Sequence, residues 1–130
     1  AILALDIDRF KSINDNHGHD VGDAAIVHIA NQMRRYSRDS DILCRAGGEE
    51  FLLLLPGIST DSARQAGERL RQHIADHPFE PVGTITVSLG VAHFPSFHVD
   101  AEQALRLADK ALYLAKEQGR NRVVVYPYAD

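Results

Sequence analysis

The chain opens on an apolar run, Ala1 to Ile7, that only Asp6 interrupts. Such a run is typical of a strand buried on both faces in the middle of a sheet. A carboxylate in this strand is costly unless another group pairs with it. Asp6 and Asp8 also mark the carboxyl end of the strand, where ligand sites in α/β sheets usually lie. The alternative is structural: Asp8 caps the next helix and Asp6 pairs with a buried basic side chain.

Apolar periodicity and turn-forming residues divide the chain into alternating strands and helices. The predicted strands are Ala1 to Ile7, Ile42 to Arg45, Phe51 to Leu55, Thr84 to Phe94 and Val123 to Tyr126. The predicted helices are Ala24 to about Arg35, Ser59 or Thr60 to about Ala75, and Asp100 to Gln118, and a short helix could follow Phe10. This order predicts an α/β sandwich with a mixed, largely antiparallel central sheet of about five strands and helices packed on its faces.

The predicted strand Thr84 to Phe94 alternates between two kinds of side chain. One face is aliphatic, and the other carries Thr86, Ser88, Gly90 and Ala92. This small second face either lets a helix or a ligand approach closely or is the less buried side of the strand.

The stretch from Ser12 to Asp23 is rich in turn-forming residues and predicts a polar loop, with Asp23 capping the next helix. His17 and His19 suggest a metal site, but a His-x-His pair without a further ligand at suitable spacing is more often a turn element. Asn14 and Asp23 bracket the loop. An amide beside a carboxylate is the pairing that would read a guanine, because the carboxylate accepts from the N–H groups of the base.

Between two apolar runs lies the sequence Arg45-Ala46-Gly47-Gly48-Glu49-Glu50-Phe51. It predicts a hairpin in which Gly47 and Gly48 supply the positive φ of a tight turn and let a large ligand approach the main chain. Glu49 and Glu50 stand at the mouth of a strand, where strand propensity disfavours them. Taken alone, the pattern is more often a solvated turn with two surface acids.

Lys116 and Arg120 lie four residues apart at the end of the last helix, which Gly119 is expected to close. Cations are favoured there by the helix dipole, and this alone could explain them. The alternative is a cationic clamp on phosphate groups.

Length and composition limit the classes of protein to consider. The 130 residues, 45% hydrophobic and 25% charged, fit one domain with a single core, and the absence of an initiator Met predicts a piece of a longer protein. The net charge of −4 argues against nucleic-acid binding, so positive charge for a phosphate ligand must be local. A single cysteine and no long apolar span predict a cytoplasmic domain without direct membrane contact, which upstream segments could still tether to the inner membrane.

Four motifs together resemble the GGDEF domain of diguanylate cyclases in its GGEEF form, from the first strand to the last. The motifs are Asp6-Ile7-Asp8-Arg9-Phe10-Lys11-x-Ile13-Asn14-Asp15, Gly18-His19-x-x-Gly22-Asp23, Arg45-x-Gly47-Gly48-Glu49-Glu50-Phe51, and Ala108-Asp109-x-Ala111-Leu112-Tyr113-x-Ala115-Lys116-x-x-Gly119-Arg120-Asn121. The resemblance implies a fold similar to adenylyl cyclase catalytic cores and polymerase palms. It also implies condensation of two GTP into cyclic di-GMP by a homodimer, with release of two pyrophosphates.

The resemblance further implies a role for each matching residue. Mg²⁺ or Mn²⁺ would be held by Asp6, the main-chain carbonyl of Ile7, and Glu49. The triphosphate would be held by Lys11, Lys116 and Arg120, and the guanine by Asn14 and Asp23. Gly47 and Gly48 would leave room for the nucleotide, while Glu50 would support the transition state or help to activate the 3′-hydroxyl.

Arg38-Asp39-Ser40-Asp41 matches the Arg-x-x-Asp inhibitory site of the family. Arg38 and Asp41 would therefore bind cyclic di-GMP and give product feedback. The chain lacks the N-terminal helix and the Leu-Thr-x-Leu-x-Asn-Arg motif that the family usually carries before its first strand, so we expect a single catalytic domain, residues 1–130, without its upstream sensory domain.

Two rival functions remain at this stage. A module that binds GTP or cyclic di-GMP without turnover would typically have lost Asp6, Glu49, Lys116 or Arg120, which are intact. A haloacid-dehalogenase-like phosphatase is suggested by the Asp-x-Asp at a strand end, but Phe10 occupies the position where that family has a small hydroxyl residue or Val.

Overall fold

One sheet and four helices make up the regular structure of residues 1–93 and 101–126, the part of the chain that this computed structural model describes. The strands are β1 (Ile2–Ile7), β2 (Ile42–Gly47), β3 (Glu50–Leu54), β4 (Val87–Ala92) and β5 (Val123–Tyr126). The helices are α1 (Phe10–His17), α2 (His19–Tyr36), α3 (Thr60–Asp76) and α4 (Ala101–Glu117). Within the described ranges, no helix has the length and apolar composition needed to cross a bilayer.

The sheet has the strand order β2-β3-β1-β4-β5. β1 lies in the centre, pairs antiparallel with β3 and β4, and is buried along its whole length. β2 continues the antiparallel pairing on β3, whereas β5 runs parallel to β4. The predicted mixed, largely antiparallel sheet with a covered central strand is therefore confirmed.

Alternate residues of β1 point into two separate cores. Leu3 and Leu5 join the larger core, to which α2 and α3 contribute, while Ile2 and Ala4 join a smaller one with α4. The smaller core depends on Gly90 in β4, because a Cβ on Gly90 would lie 2.2 Å from the carbonyl oxygen of Ala108 in α4. The small face of β4 thus admits a helix, which is one of the two explanations that the sequence left open.

The polar loop predicted from Ser12 to Asp23 is wrong. α1 and α2 fill this stretch and are separated only by Gly18, which has a φ of 87°. Ile13 is buried while most of its polar neighbours face outward, so a turn-like composition conceals an amphipathic helix. Asp23 lies inside α2 and does not cap it.

The other element boundaries agree more closely with the sequence. Ser59 caps α3 by accepting a hydrogen bond from the amide of Ser62 at 3.1 Å. β4 begins at Val87 and not at Thr84, because its partner β1 ends at Ile7, which pairs with Val87. The predicted ends at Phe94 and Asp100 lie outside the described residues.

Candidate active site

Asp6 lies at the carboxyl end of β1, in register with Glu50 of β3 and Ser88 of β4. One oxygen of its carboxylate, Oδ2, accepts a hydrogen bond from the Nζ of Lys116. The other oxygen, Oδ1, is buried and has no hydrogen-bond partner among the described residues. Burial raises the pKa of Asp6 above its usual range, and the pairing with Lys116 opposes this shift. The structural alternative for Asp6, pairing with a basic side chain, is therefore what the structure shows.

Glu50 shares this acidic environment from the neighbouring strand. Burial raises the pKa of Glu50 to about 7, with further contributions from a hydrogen bond to the Asp109 carboxyl and from the negative charges of Asp109 and Asp6. Asp109 lies on α4, and no feature of the sequence predicted that this helix would contact the hairpin. Several carboxyl groups therefore crowd one end of the sheet, and Lys116 contacts one of them, that of Asp6.

Gly48 and Glu49 form the tip of the β2–β3 hairpin, since Gly47 already pairs with Glu50. The predicted positive φ is wrong, because neither Gly47 nor Gly48 is among the residues with positive φ. The turn is held instead by Arg45, whose Nε and Nη2 donate to the carbonyl of Gly48 at 3.0 and 2.7 Å. A Cβ on either glycine would meet no atom within 4 Å, so there is open space beside the main chain.

The hairpin tip is tied to the end of β1. The amide of Ile7 donates to the carbonyl of Glu49 at 3.3 Å, which brings Glu49 beside the strand that carries Asp6. In the described part of the chain, no group of three or more His, Cys, Asp or Glu side chains is arranged to hold a metal ion. The metal ligands expected from the sequence are not such a cluster of side chains, because they combine the carboxylates of Asp6 and Glu49 with one main-chain carbonyl, that of Ile7.

Asp8 does not cap α1, contrary to the alternative that the sequence suggested. The N-cap of that helix is Arg9, which makes no side-chain capping bond. Asp8 is buried and accepts hydrogen bonds from Thr86, Ser88 and the amide of Asn121. It therefore joins β1 to β4 and to the turn after α4.

Asn14 and Asp23, the residues expected to read guanine, lie on neighbouring helices. Gly22 of α2 packs directly on Asn14 of α1, and a Cβ on Gly22 would lie only 1.8 Å from Asn14 Oδ1. Asn14 Oδ1 is buried and has no partner among the described residues, whereas Asp23 is exposed. The contact at Gly22 thus fixes where the Asn14 amide can lie.

The three cations expected to bind phosphate occupy different positions. Lys116 contacts Asp6, as described above, and is about a third exposed, with a side-chain exposure of 36%. Arg120 is exposed in the turn that follows α4, and Lys11 is exposed on α1. Helix-dipole complementarity alone does not account for Lys116, because its ammonium group reaches a specific buried carboxylate.

Arg38 and Asp41 pair with each other at the start of β2. The Nε and Nη2 of Arg38 donate to Asp41 Oδ1 at 2.9 and 2.7 Å, and Nη2 also donates to the carbonyl of Pro56 at 2.9 Å. Both side chains line a cavity of about 160 Å³ together with Arg69 of α3. Sequence reasoning did not find Arg69, because nothing in the local pattern of α3 distinguishes it from the other polar residues of that helix.

A sequence model described as "Diguanylate cyclase, GGDEF domain" matches residues 1–122. The chain belongs to this family. The GGDEF domain is 44% identical over 128 residues to diguanylate cyclase DgcP of Pseudomonas aeruginosa, an alignment that covers 95% of this chain and 19% of that protein. It spans about a third, or less, of the length of the curated relatives that it matches.

Solved structures of GGDEF domains also resemble this chain in fold. The active GGEEF domain of a diguanylate cyclase from Vibrio cholerae has a TM-score of 0.91 and 36% identity, covering 98% of this chain and 83% of that one. The GGDEF domain of DgcB from Caulobacter crescentus, solved in complex with c-di-GMP, has a TM-score of 0.89 and 33% identity, covering 95% and 75%. Membership in this family overturns the phosphatase alternative.

Proposed function

We propose that this GGDEF domain is the catalytic domain of a diguanylate cyclase, condensing two GTP into cyclic di-GMP and releasing two pyrophosphates. The observation that carries the proposal is the end of β1, where the buried Asp6 lies in register with Glu50 and contacts Lys116, while the next residue, Ile7, bonds to Glu49 at the hairpin tip. A cluster of carboxylates beside a flexible lysine side chain suits a nucleotide with a bound metal ion, because the carboxylates bind the metal and the lysine binds the phosphates. The activity named for the relatives supports the same reaction.

The residues at this end of the sheet fit a divalent metal. Asp6 Oδ1 is buried without a hydrogen-bond partner, which is costly in a protein and is relieved by a cation. We assign Mg²⁺ or Mn²⁺ to Asp6, the Ile7 carbonyl and Glu49, since these hard ions prefer oxygen ligands. When bound, the ion stabilises negative charge that develops on the phosphate oxygens.

The remaining residues bind and orient the nucleotide. Lys11, Lys116 and Arg120 bind the triphosphate, and Lys116 exchanges its contact with Asp6 for one with phosphate. Asn14 and Asp23 bind the guanine. The substrate passes beside the hairpin tip, where Gly47 and Gly48 leave the main chain uncovered.

Glu50 has the properties of a general base for the 3′-hydroxyl. A pKa of about 7 lies close to neutral pH, where a carboxylate can both accept and release a proton. In the proposed reaction a carboxylate oxygen of Glu50 accepts the proton of the 3′-hydroxyl as its oxygen attacks the α-phosphorus. Each domain holds one GTP, so the reaction requires two domains that face each other in a homodimer.

Product feedback is assigned to the Arg38–Asp41 pair. The Arg38 side chain is half exposed, at 47%, whereas that of Asp41 is only 3% exposed, so a ligand reaches the guanidinium first. Arg69 adds a second cation on the same cavity, which suits the two phosphates of cyclic di-GMP.

The direct test is incubation of the purified domain with GTP and Mg²⁺ at high protein concentration, followed by chromatography of the nucleotides. We expect cyclic di-GMP with two pyrophosphates for each product molecule, and loss of product in Glu49→Gln. Glu102→Gln, a matched change at an exposed position in the first turn of α4, is the control that keeps the product. GTP binding without any product would instead identify a non-catalytic binding module.

A further inference from the structure

Asp8 is buried beside the proposed site and uses its carboxylate entirely for contacts within the protein. Its relative exposure is 7%. Oδ1 accepts from Ser88 Oγ at 2.6 Å, while Oδ2 accepts from Thr86 Oγ1 at 2.8 Å and from the main-chain amide of Asn121 at 3.0 Å. Of these donors, only the amide of Asn121 belongs to the turn after α4, and only it cannot rotate to find another acceptor.

The turn that receives this contact has an unusual backbone. Gly119, Arg120 and Asn121 have φ values of 123°, 65° and 48°. Two consecutive non-glycine residues in the left-handed region are disfavoured, so other contacts must hold them there.

Contacts from two directions hold the turn. α4 ends with the amides of Gly119 and Arg120 bonded to the carbonyls of Lys116 and Ala115, at 3.3 and 2.9 Å. This pattern is a Schellman motif, which accounts for the glycine but not for the two residues after it. Beyond Arg120, the Asn121 amide bonds to Asp8, and Asn121 Oδ1 accepts from Arg71 Nη1 at 2.9 Å.

We propose that Asp8 is a positioning residue for the terminal phosphates of a nucleoside triphosphate: by accepting from the Asn121 amide, it holds the turn that presents Arg120 beside Lys116. The inference rests on the proposed function, in which Lys116 and Arg120 bind the triphosphate. A carboxylate suits this task because a charged acceptor bonds a main-chain amide more strongly than a neutral one. The strained turn is thereby kept at the functional site and does not relax away from it.

The competing role for Asp8 is that of a metal ligand, since it lies two residues after Asp6. Against this role, both of its oxygens already accept hydrogen bonds from the protein. The two roles predict different responses to Mg²⁺ concentration, so one experiment separates them.

Calorimetric titrations with a non-hydrolysable GTP analogue and with GMP, at several Mg²⁺ concentrations, test the proposal. We expect Asp8→Asn to weaken binding of the analogue roughly tenfold and binding of GMP less than about twofold, because GMP lacks the phosphates that the turn receives. Asn121→Ala, which leaves Asp8 intact but removes the bond to Arg71 and disfavours the left-handed backbone, should show the same selective loss. Asp39→Asn, an identical change at an exposed site, should bind both ligands as the wild type does.

A rescue variant strengthens the test. Glycine adopts a positive φ without strain, so Asn121→Gly added to Asp8→Asn should restore most of the affinity for the analogue. A protein in which Asp8 serves only overall stability would show no such recovery.

Three results would overturn the inference. Equal weakening of the analogue and GMP in Asp8→Asn would show a general effect on the fold, and recovery at high Mg²⁺ would identify a metal ligand. If Asp8→Asn does not fold, unchanged selectivity in Asn121→Ala overturns it by itself. If the wild-type protein binds neither the GTP analogue nor GMP, the proposed function is contradicted. If the wild type binds them and both Asp8→Asn and Asn121→Ala keep its preference for the analogue over GMP, only the role of Asp8 is contradicted.

Discussion

The two oxygens of Asp6 differ in their surroundings, and this difference explains how one residue can satisfy both interpretations of the sequence. Oδ2 bonds to Lys116, whereas Oδ1 is buried without a partner. A lysine ammonium is compact and flexible, so it can neutralise the carboxylate without closing the site to another cation. The contact with Lys116 was not predictable, because nothing in a sequence aligns the end of α4 with the end of β1.

The raised pKa of Glu50 predicts how stability depends on pH. Burial and the neighbouring carboxyl groups raise its pKa from the usual 4.5 to about 7 in the folded protein. Between these values the folded state holds a proton that the unfolded state has lost, so the contribution of Glu50 to stability falls as the pH rises through this window. We expect Glu50→Gln to be more stable than the wild type above about pH 7, with the difference shrinking towards pH 5.

Urea unfolding of both proteins across this pH range measures the effect. Glu50 is partly exposed, so solvent screening reduces its size and the sign is the meaningful result. A stability difference that stays constant with pH would show that Glu50 ionises normally in the folded protein.

The secondary structure of long buried segments was predictable from the sequence, whereas that of short polar segments was not. The apolar run predicted β1, and the position of Ser59 before an apolar helical pattern predicted the start of α3. The short helix expected after Phe10 is α1, but its extent was not predictable, because its single buried residue, Ile13, gives too little periodicity against a turn-like composition. The conformation of Gly48 was missed because a side chain, that of Arg45, determines the turn.

The packing of α2 on α1 predicts a functional effect from a small change. In Gly22→Ala the new methyl group would displace the Asn14 amide, which is the flexible end of a side chain, so the fold should lose less than about 1 kcal/mol. Guanine binding depends on that amide in the proposed site, so we expect the KM for GTP to rise roughly tenfold. Steady-state kinetics with GTP, alongside thermal unfolding, measure both quantities.

Two results would contradict this view of Gly22. An unchanged KM would separate Asn14 from guanine recognition. A large loss of stability with an unchanged KM would show that Gly22 serves only the packing of the two helices.

At the scale of the whole molecule, the proposed active site and the proposed inhibitory site lie at opposite ends of the β2–β3 hairpin. The Gly48–Glu49 turn joins the two strands, whereas Arg38 and Asp41 precede β2 and Arg38 reaches Pro56 after β3. The sequence predicted both sites through their motifs. It did not predict the cavity that Arg38 and Asp41 line together with α3, because that cavity depends on long-range packing.

Feedback through this second site can be tested by substitution of Arg38. Arg38→Ala removes the exposed guanidinium of the Arg38–Asp41 pair, so cyclic di-GMP should inhibit the variant at least roughly tenfold more weakly than the wild type. Initial rates with increasing added product measure the inhibition constant. Arg64→Ala, at an exposed arginine that pairs with Asp61, is the matched control. Inhibition that is unchanged in Arg38→Ala would remove this residue from the site.

The end of β1 is proposed to hold a divalent metal together with a nucleotide. Electron paramagnetic resonance of Mn²⁺, titrated into the domain with a non-hydrolysable GTP analogue, measures the ion bound to the protein. We expect a protein-bound Mn²⁺ signal for the wild type and for the control Asp39→Asn, and its loss in Asp6→Asn. An equal signal in Asp6→Asn would contradict metal binding at the end of β1.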